Sequence, residues 1–237
     1  EENLLVGLQG SGAEHLLGTD EAGRDVLSRI MAGARSAIVG PIVVVLGAMA
    51  IGTFFGLMAG YRGGWVDSAV MRVVDLLYSL PGLLIAIVAL GVFGGGYWVA
   101  VAILIVLTSP FDTRLIRGAA LEQSGLPYVD AARTLGLPPR RIMTRHIWPN
   151  IAPLIVANSF LNFAFTLVAL TSLAFLGLGA GPGATDWGQM LKENLAVIEI
   201  NPWASLGPGL AIVLLALSMN LIGDWIFERL SDRGMGR

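Results

Sequence analysis

The stretch YVDAARTLGLPPRRIMTRHIWPN, residues 128–150, decides the fold because it interrupts an apolar chain with a polar module containing Gly and Pro. Within it, residues 130–135 favour a short helix, and Gly136 is suited to end that helix ahead of two prolines. A second short helix is expected from about residue 139 to residue 147. The pattern predicts a helix-turn-helix module, and we call residues 128–150 the elbow.

The composition defines the solvent in which the elbow sits. The chain has 237 residues, of which 55% are hydrophobic and 14% charged, with a mean hydropathy of +0.73. A soluble domain carries about 25% charged residues, so this composition indicates a membrane protein. The chain contains no cysteine, which excludes a disulfide framework and a thiolate metal site. A net charge of −2 gives no indication of a nucleic-acid partner.

Apolar runs of membrane-spanning length occur five times. A spanning helix needs about 20 apolar residues. The predicted spans are residues 36–61, 73–93, 97–111, 151–179 and 204–223. The third is short, and we expect its helix to continue past Asp112. The sequence therefore predicts an all-α, polytopic membrane helical bundle.

The distribution of arginines predicts the orientation of the spans, since short cytoplasmic loops collect Lys and Arg. Most arginines lie in the loops and tail that would share the side of the elbow, which is therefore expected to be cytoplasmic. The chain begins with Glu1, and an odd number of spans leaves room for a further helix before it. The expected organisation is an external segment 1–35, a transmembrane domain 36–223 with a cytoplasmic loop 112–150 and an external loop 179–203, and a cytoplasmic tail 224–237.

Two interpretations of the elbow are open from its residues. The small side chains of Ala131 and Ala132 would leave a narrow ridge that could enter a groove on another protein, where Arg140 and Arg141 could pair with acidic groups. Alternatively, the elbow is an amphipathic loop whose arginines bind lipid phosphates.

The elbow also resembles a known sequence pattern. D-A-A-R-T-L-G at 130–136, followed by H-I-W-P-N at 146–150, is similar to the EAA loop of permease subunits of binding-protein-dependent ABC importers. Asp130 stands where that family usually has Glu. Two further stretches, H-L-L-G-T-D-E-A-G-R-D-V-L-S-R at 15–29 and S-L-A-F-L-G-L-G at 172–179 with D-W-G-Q-M-L at 186–191, resemble the C-type permease of dipeptide and oligopeptide importers.

The resemblance implies a function and a set of partners. It implies uptake of short peptides across a bacterial plasma membrane, with nickel or glutathione as alternative substrates. The implied partners are a B-type permease, two ABC ATPase subunits or domains and an extracytoplasmic binding protein. The residues expected to couple to the ATPase are Asp130, Ala131, Ala132, Gly136, Arg140 and Arg141.

ATP chemistry is expected on the partners, with ATP and Mg bound there. The only lysine is Lys192, which follows Leu191, so the phosphate-binding motif G-x-x-x-x-G-K-[ST] occurs nowhere in the chain. His15 and His146 fall on opposite sides of the predicted membrane, so no catalytic residue, metal site or bound cofactor is expected. The chain is predicted to be a non-catalytic subunit.

The external segments contain candidates for contact with the binding protein. Residues 16–35 predict a helix that begins at Thr19 or Asp20 and lies along the outer membrane face, and a short helix is expected at 187–195. The alternative role of the first helix is purely structural. The candidate contact residues are Asp20, Arg24, Asp25 and Trp187.

A polar stripe is predicted within the fourth span. Asn158, Asn162 and Thr166 recur every four residues and therefore share one helix face. Polar groups at membrane depth face protein or water, so the stripe either lines the translocation path or holds helices together by hydrogen bonds. Asp75 and Asp224 are expected to anchor span ends or to pair with arginines.

Two other classes of protein remain as alternatives. An ion-coupled secondary transporter needs a coupling-ion site and inverted repeats, for which the sequence offers only Asp75 and the polar stripe. A membrane enzyme needs a nucleophile and a base inside the bundle, and the spans contain neither cysteine nor histidine. The importer permease is therefore the favoured function.

Overall fold

A computed structural model describes residues 7–179, 181 and 184–235, and the side chains through residue 229. The predicted tail residues Arg233 and Arg237 lie outside the described side chains, as does the opening Glu1. The α-helices are α1 Val26–Arg62, α2 Gly64–Tyr78, α3 Gly82–Phe93, α4 Tyr97–Ser124, α5 Pro127–Thr134, α6 Pro139–Ile142, α7 Trp148–Phe175, α8 Trp187–Glu193 and α9 Trp203–Met235. A π-helical turn, Met143–Ile147, joins α6 to α7, and a 3-10 turn, Leu195–Val197, follows α8.

The predicted all-α membrane fold is confirmed. No strand occurs in the described part of the chain, where Thr19 and Asp25 form an isolated bridge. Within the residues that the structure describes, four stretches are long and apolar enough to cross a membrane, or five if the bent pair α2–α3 counts as one span. The third predicted span does continue helically past Asp112, as far as Ser124.

The second predicted span, residues 73–93, is wrong as a single straight helix. The chain bends by 80° between α2 and α3. Pro81 has no backbone N–H and restricts the residue before it, so α2 ends at Tyr78. The Pro81 carbonyl then accepts the N–H groups of Leu84 and Ile85, which begins α3.

The predicted interfacial helix at 16–35 is also corrected. The chain turns tightly before residue 26, and α1 then runs without a break from Val26 to Arg62. The Asp25 carboxylate accepts the backbone N–H of Ser28 at 2.8 Å, so Asp25 caps the helix where Thr19 or Asp20 was expected to. Residues 26–35 are thus the first turns of the spanning helix.

The described residues form two compact units, and each draws on three separate stretches of chain. The first lies within residues 1–43, 86–103 and 163–219. The second lies within residues 44–85, 104–162 and 220–237 and contains the whole elbow.

A row of glycines on α1 allows close approach to α4 inside the second unit. Gly52, Gly56 and Gly60 recur every four residues and so face the same neighbour. A Cβ at Gly56 would lie 2.8 Å from the Thr113 carbonyl oxygen and 2.9 Å from Ile116 Cβ. Only hydrogen fits at this contact, which is typical of small-residue packing between membrane helices.

The glycine contact predicts the effect of one substitution. Gly56→Leu should force α1 and α4 apart and destabilise the folded protein by about 1–3 kcal/mol or more, the range for overpacking. Gly118→Leu is the matched control, because a Cβ at Gly118 meets no atom within 4 Å. Thermal unfolding in detergent should show a lower midpoint for Gly56→Leu only, and equal midpoints for the two variants would contradict this packing.

Candidate functional site

The elbow is built from two short helices and a tight glycine turn. After α5, the N–H of Gly136 donates to the Arg133 carbonyl at 2.9 Å and the N–H of Leu137 to the Ala132 carbonyl at 3.2 Å. Gly136 has φ +72, a left-handed conformation that favours glycine. The second predicted helix, 139–147, is α6 followed by the π turn, which leads directly into α7.

An apolar cluster fixes the elbow to three long helices of the second unit. We call this cluster the seat. It joins buried side chains of the elbow to buried side chains of α1, α4 and α7. Its members are Leu57, Ile116, Ala120, Val129, Ala132, Ile142, Ile147, Ile151 and Ile155. Because the seat holds both helices of the elbow, the module is fixed to the helices below it.

The exposed face of the elbow differs in one residue from the expected ridge. Asp130, Ala131, Gly136, Arg140 and Arg141 are exposed, as a docking surface requires. Ala132 instead points inward, is 4% exposed and belongs to the seat. Its small side chain lets α5 pack closely, so the prediction that it forms part of an exposed ridge is corrected.

Leu135 is a surface residue that the sequence analysis missed. It is the last residue before Gly136 and is 79% exposed. Helical periodicity did not reveal this exposure, since Leu135 lies three residues after the buried Ala132, a spacing that places two side chains on one helix face. The exposed tip therefore combines one large apolar group with small and charged neighbours.

Arg133 ties the elbow to the end of α1. Its guanidinium lies 5.2 Å from the ring centroid of Tyr61 and donates to Asp130 at 3.1 Å. A guanidinium over an aromatic face is attracted by the ring. Arg133 thus contributes to holding α5 in place, whereas Arg140 and Arg141 remain exposed.

The adjacent alanines of α5 give a matched test of the seat. Ala132→Trp should overfill it and lower the stability of the elbow by about 1–3 kcal/mol or more. Ala131→Trp should leave stability unchanged, because Ala131 is exposed. Limited proteolysis at the exposed arginines of the elbow measures the difference, and equal cleavage rates in the two variants would contradict the orientation of α5.

The two distant motifs of the first unit meet in an ion-pair network. Asp20 accepts hydrogen bonds from Arg24 at 2.8 Å and from Arg29. Both arginines also donate to Glu193 at the end of α8, at 3.1 Å and 3.0 Å. Asp20 is 1% exposed and Arg29 5%, so these charges are compensated inside the protein.

The D-W-G motif fastens α8 to two long helices. Asp186 caps α8 by accepting the N–H of Gly188 at 2.9 Å, and it accepts the Ser36 hydroxyl of α1 at 3.3 Å. Trp187 Nε1 donates to the Ile30 carbonyl at 2.8 Å. A Cβ at Gly188 would lie 2.2 Å from the Thr171 carbonyl oxygen of α7, so only glycine fits. Asp186, Trp187 and Gly188 therefore each hold α8 against α1 or α7.

Two carboxyl groups of this region have shifted acidity. Burial raises the pKa of Asp186, although hydrogen bonds from Gly188 and other neighbours oppose the shift. Partial burial also acts on Asp25, but hydrogen bonds from Ser28 and the nearby His15 outweigh it and lower the pKa of Asp25. The two groups serve as helix caps at the starts of α8 and α1.

The four predicted binding-protein contacts therefore lie in a different setting from the one expected. Asp20 and Trp187 are buried by the chain's own packing, which corrects the expectation that their side chains face a partner. Arg24 and Asp25 are partly buried and engaged with Glu193 and His15. Charge alternation along the sequence did not show this, because Glu193 is far away in the chain.

The buried arginine of the network gives a second test. Arg29→Ala would leave Asp20 buried with fewer partners and should destabilise the protein by about 3 kcal/mol. Arg35→Ala removes an exposed arginine from the same helix and should have little effect. Thermal midpoints of the purified variants compare the two, and a loss no larger for Arg29→Ala than for Arg35→Ala would argue against a structural network.

The polar stripe of α7 contacts α4. The side-chain amides of Asn158 and Asn162 donate to Asp112 Oδ1 at 2.9 Å and 2.7 Å. These two residues therefore make interhelical hydrogen bonds, one of the two roles left open by the sequence. Thr166 belongs to the first unit, is buried, and has a hydroxyl without a hydrogen-bond partner in the described structure.

Ion pairs also join α2 to α4. Asp75 accepts from Arg114 at 2.6 Å, which confirms its expected pairing with an arginine. Asp67 forms a two-point contact with Arg117, a pair that the sequence did not reveal. Among the described residues, no group of three His, Asp or Glu side chains is placed to hold a metal ion.

The helical bundle, the elbow and the two motifs of the first unit together define a class of membrane transport subunit. The family described as binding-protein-dependent transport system inner membrane component matches residues 52–234. The chain belongs to this family. It is a multi-pass transmembrane permease subunit of an ABC importer.

Relatives support this assignment over almost the whole chain. The glutathione transport system permease protein GsiD of Pectobacterium atrosepticum is 38% identical over 225 residues, 95% of this chain and 75% of that protein. The dipeptide transport system permease protein DppC of Alkalihalophilus pseudofirmus is 35% identical over 233 residues, 98% of this chain and 77% of that protein.

A solved structure supports the fold. The inward-facing MetNI methionine ABC transporter, in its CY5 native crystal form, matches with a TM-score of 0.72 over 86% of this chain and 97% of that one. At 20% identity this likeness concerns the fold alone.

Proposed function

We propose that this permease imports short peptides delivered by an extracytoplasmic binding protein. Relatives at 38% and 35% identity are named for glutathione and dipeptide transport, and both substrates are short peptides. We further propose that a B-type permease completes the path and that separate ATPase subunits bind ATP and Mg. The elbow and the tail from residue 224 would then be cytoplasmic, and loop 179–203 external.

The exposed tip of the elbow is the observation that supports coupling to an ATPase. Ala131 and Leu135 present an apolar surface on a short helix, and Asp130 adds a negative charge beside them. A short helix with one large apolar side chain fits a groove on a partner. Arg140 and Arg141 stand nearby and suit an acidic rim. The proposed partner surface is thus a groove with an apolar floor and acidic edges.

The seat explains how movement of the elbow would reach the bundle. Val129 and Ile142 of the elbow pack with Leu57 of α1, Ile116 of α4 and Ile155 of α7. Packed interiors transmit displacement because they resist compression. An ATPase that shifts the tip would therefore move the second-unit parts of these helices together, as alternating access requires.

The tip can be tested without disturbing the seat. Leu135→Asp and Ala131→Trp should each reduce the amount of ATPase that co-purifies from membranes by at least about tenfold, since loss of an interface anchor costs about 2 kcal/mol. Leu195→Asp is the matched control, because Leu195 is also an exposed leucine but lies outside the elbow.

The comparison has two contradicting outcomes. If the unsubstituted permease brings down no ATPase, the proposed coupling fails altogether. If Leu135→Asp and Leu195→Asp retain equal amounts of the ATPase, the elbow is not the docking surface. Its arginines are then left to contact lipid phosphates.

A further inference from the structure

Asp112 is a buried acid whose hydrogen-bond partners carry no charge. It lies on α4 within a membrane-spanning stretch and is 3% exposed. Asn158 and Asn162 both donate to its Oδ1, while Oδ2 accepts from no described residue. In the described part of the chain, no basic side chain pairs with it. A carboxylate at membrane depth is costly unless a cation or further donors compensate it.

A cavity of about 250 Å³ adjoins this cluster within the second unit. Asn158 lines the cavity, so the side chain that binds Asp112 also forms part of the wall. Asn220 and Asp224 of α9 line it too, although the Asn220 Oδ1 is itself buried and has no hydrogen-bond partner among the described residues. Leu115 supplies part of its apolar surface.

The walls of the cavity are largely apolar, and in the described chain their polar residues are two asparagines and the acid Asp224, with no basic side chain among them. The Asn158 amide group is used on Asp112, which leaves its carbonyl oxygen as an acceptor. The nearest arginines along the same helices are engaged elsewhere, since Arg114 pairs with Asp75 and Arg229 lies over Trp225. A positively charged group of moderate size is therefore the favoured occupant.

We propose that this cavity receives the α-ammonium group of the peptide during its passage through the permease. The proposal rests on the proposed peptide substrate and adds a subsite to it. The ammonium group would be held by acceptors of Asn158 and Asp224, with the charge of Asp112 behind Asn158. Phe160 and Phe227, which also line the cavity, would contact an apolar side chain of the peptide.

A second cavity provides an internal control. It has a volume of about 280 Å³, lies in the first unit and is lined by side chains that include Ser172 and Thr171 but no ionisable group. The chain contains no cysteine, so a single cysteine can be placed in either cavity. Ala157 lines the cavity beside Asn158, which we call the acidic cavity. Ser172 lines the second cavity, which we call the control cavity.

The charge preference of the cavity is measured by thiol labelling of the assembled importer in permeabilised membranes. Ala157→Cys and Ser172→Cys are each labelled with two methanethiosulfonate reagents. One reagent carries a positively charged trimethylammonium group and the other a negatively charged sulfonate group. The labelling rate of the cationic reagent divided by that of the anionic reagent should be about tenfold higher at position 157 than at position 172, as expected for an acidic cleft. Adding Asp112→Asn or Asp224→Asn should lower that ratio, and Asp112→Asn keeps an oxygen for Asn158 and Asn162.

The occupant is then tested with leucyl-alanine and its N-acetylated form. Leucyl-alanine should slow labelling of Ala157→Cys by N-ethylmaleimide, whereas the acetylated peptide should not. No labelling at all, a rate ratio equal to that of Ser172→Cys, or equal effects of the two peptides would overturn the subsite. Failure of the unsubstituted importer to take up dipeptide would instead overturn the proposed substrate, even with the charge preference intact.

Discussion

Close contact between α1 and α4 is the constraint on which the second unit depends. Gly52, Gly56 and Gly60 present only hydrogen to α4, so the two backbones approach until carbonyl groups and Cβ atoms touch the glycine face. Lipid tails are as apolar as leucine, and tight packing rather than burial from water stabilises such a pair. The contact also brings Leu57 beside Ile116 and Ala120, which together form the part of the seat that receives the elbow. A wider separation would open this cluster and leave α5 without a base.

In the first unit, polar contacts have the corresponding stabilising role. The motif around Asp20 and the motif around Asp186 lie far apart in the sequence, yet Arg29 joins the first to Glu193 at the end of α8. The ion pairs, the Asp186 cap and the Trp187 hydrogen bond satisfy groups that are costly to bury unpaired. The residues of both motifs are thus engaged in packing and hydrogen bonds inside one chain.

The elbow and the acidic cavity assign different tasks to the same part of the chain. The elbow presents an apolar tip at Leu135 on a firmly packed base, which suits transmission of force from a partner. The cavity beside Asn158 presents acceptors and the Asp224 carboxylate, with Asp112 behind Asn158, which suits brief contact with a cation. α4 and α7 take part in both, since they contribute to the seat and to the polar cluster. A displacement of the seat would therefore also act on the helices that form the cavity.

The sequence by itself determined the membrane class, four of the spanning helices, the glycine turn of the elbow and the family, because each depends on composition or on patterns within a few turns of chain. The tertiary structure decided the rest. Pro81 breaks a helix whereas Pro110 lies inside one, and local propensity does not distinguish them. Ala132 enters the seat while Leu135 is exposed, because packing against α1, α4 and α7 selects the buried face. The Glu193 partner of Arg24 and Arg29 and the asparagine partners of Asp112 likewise come from distant stretches of chain, since electrostatic and packing energies depend on distance in space and not on separation along the sequence.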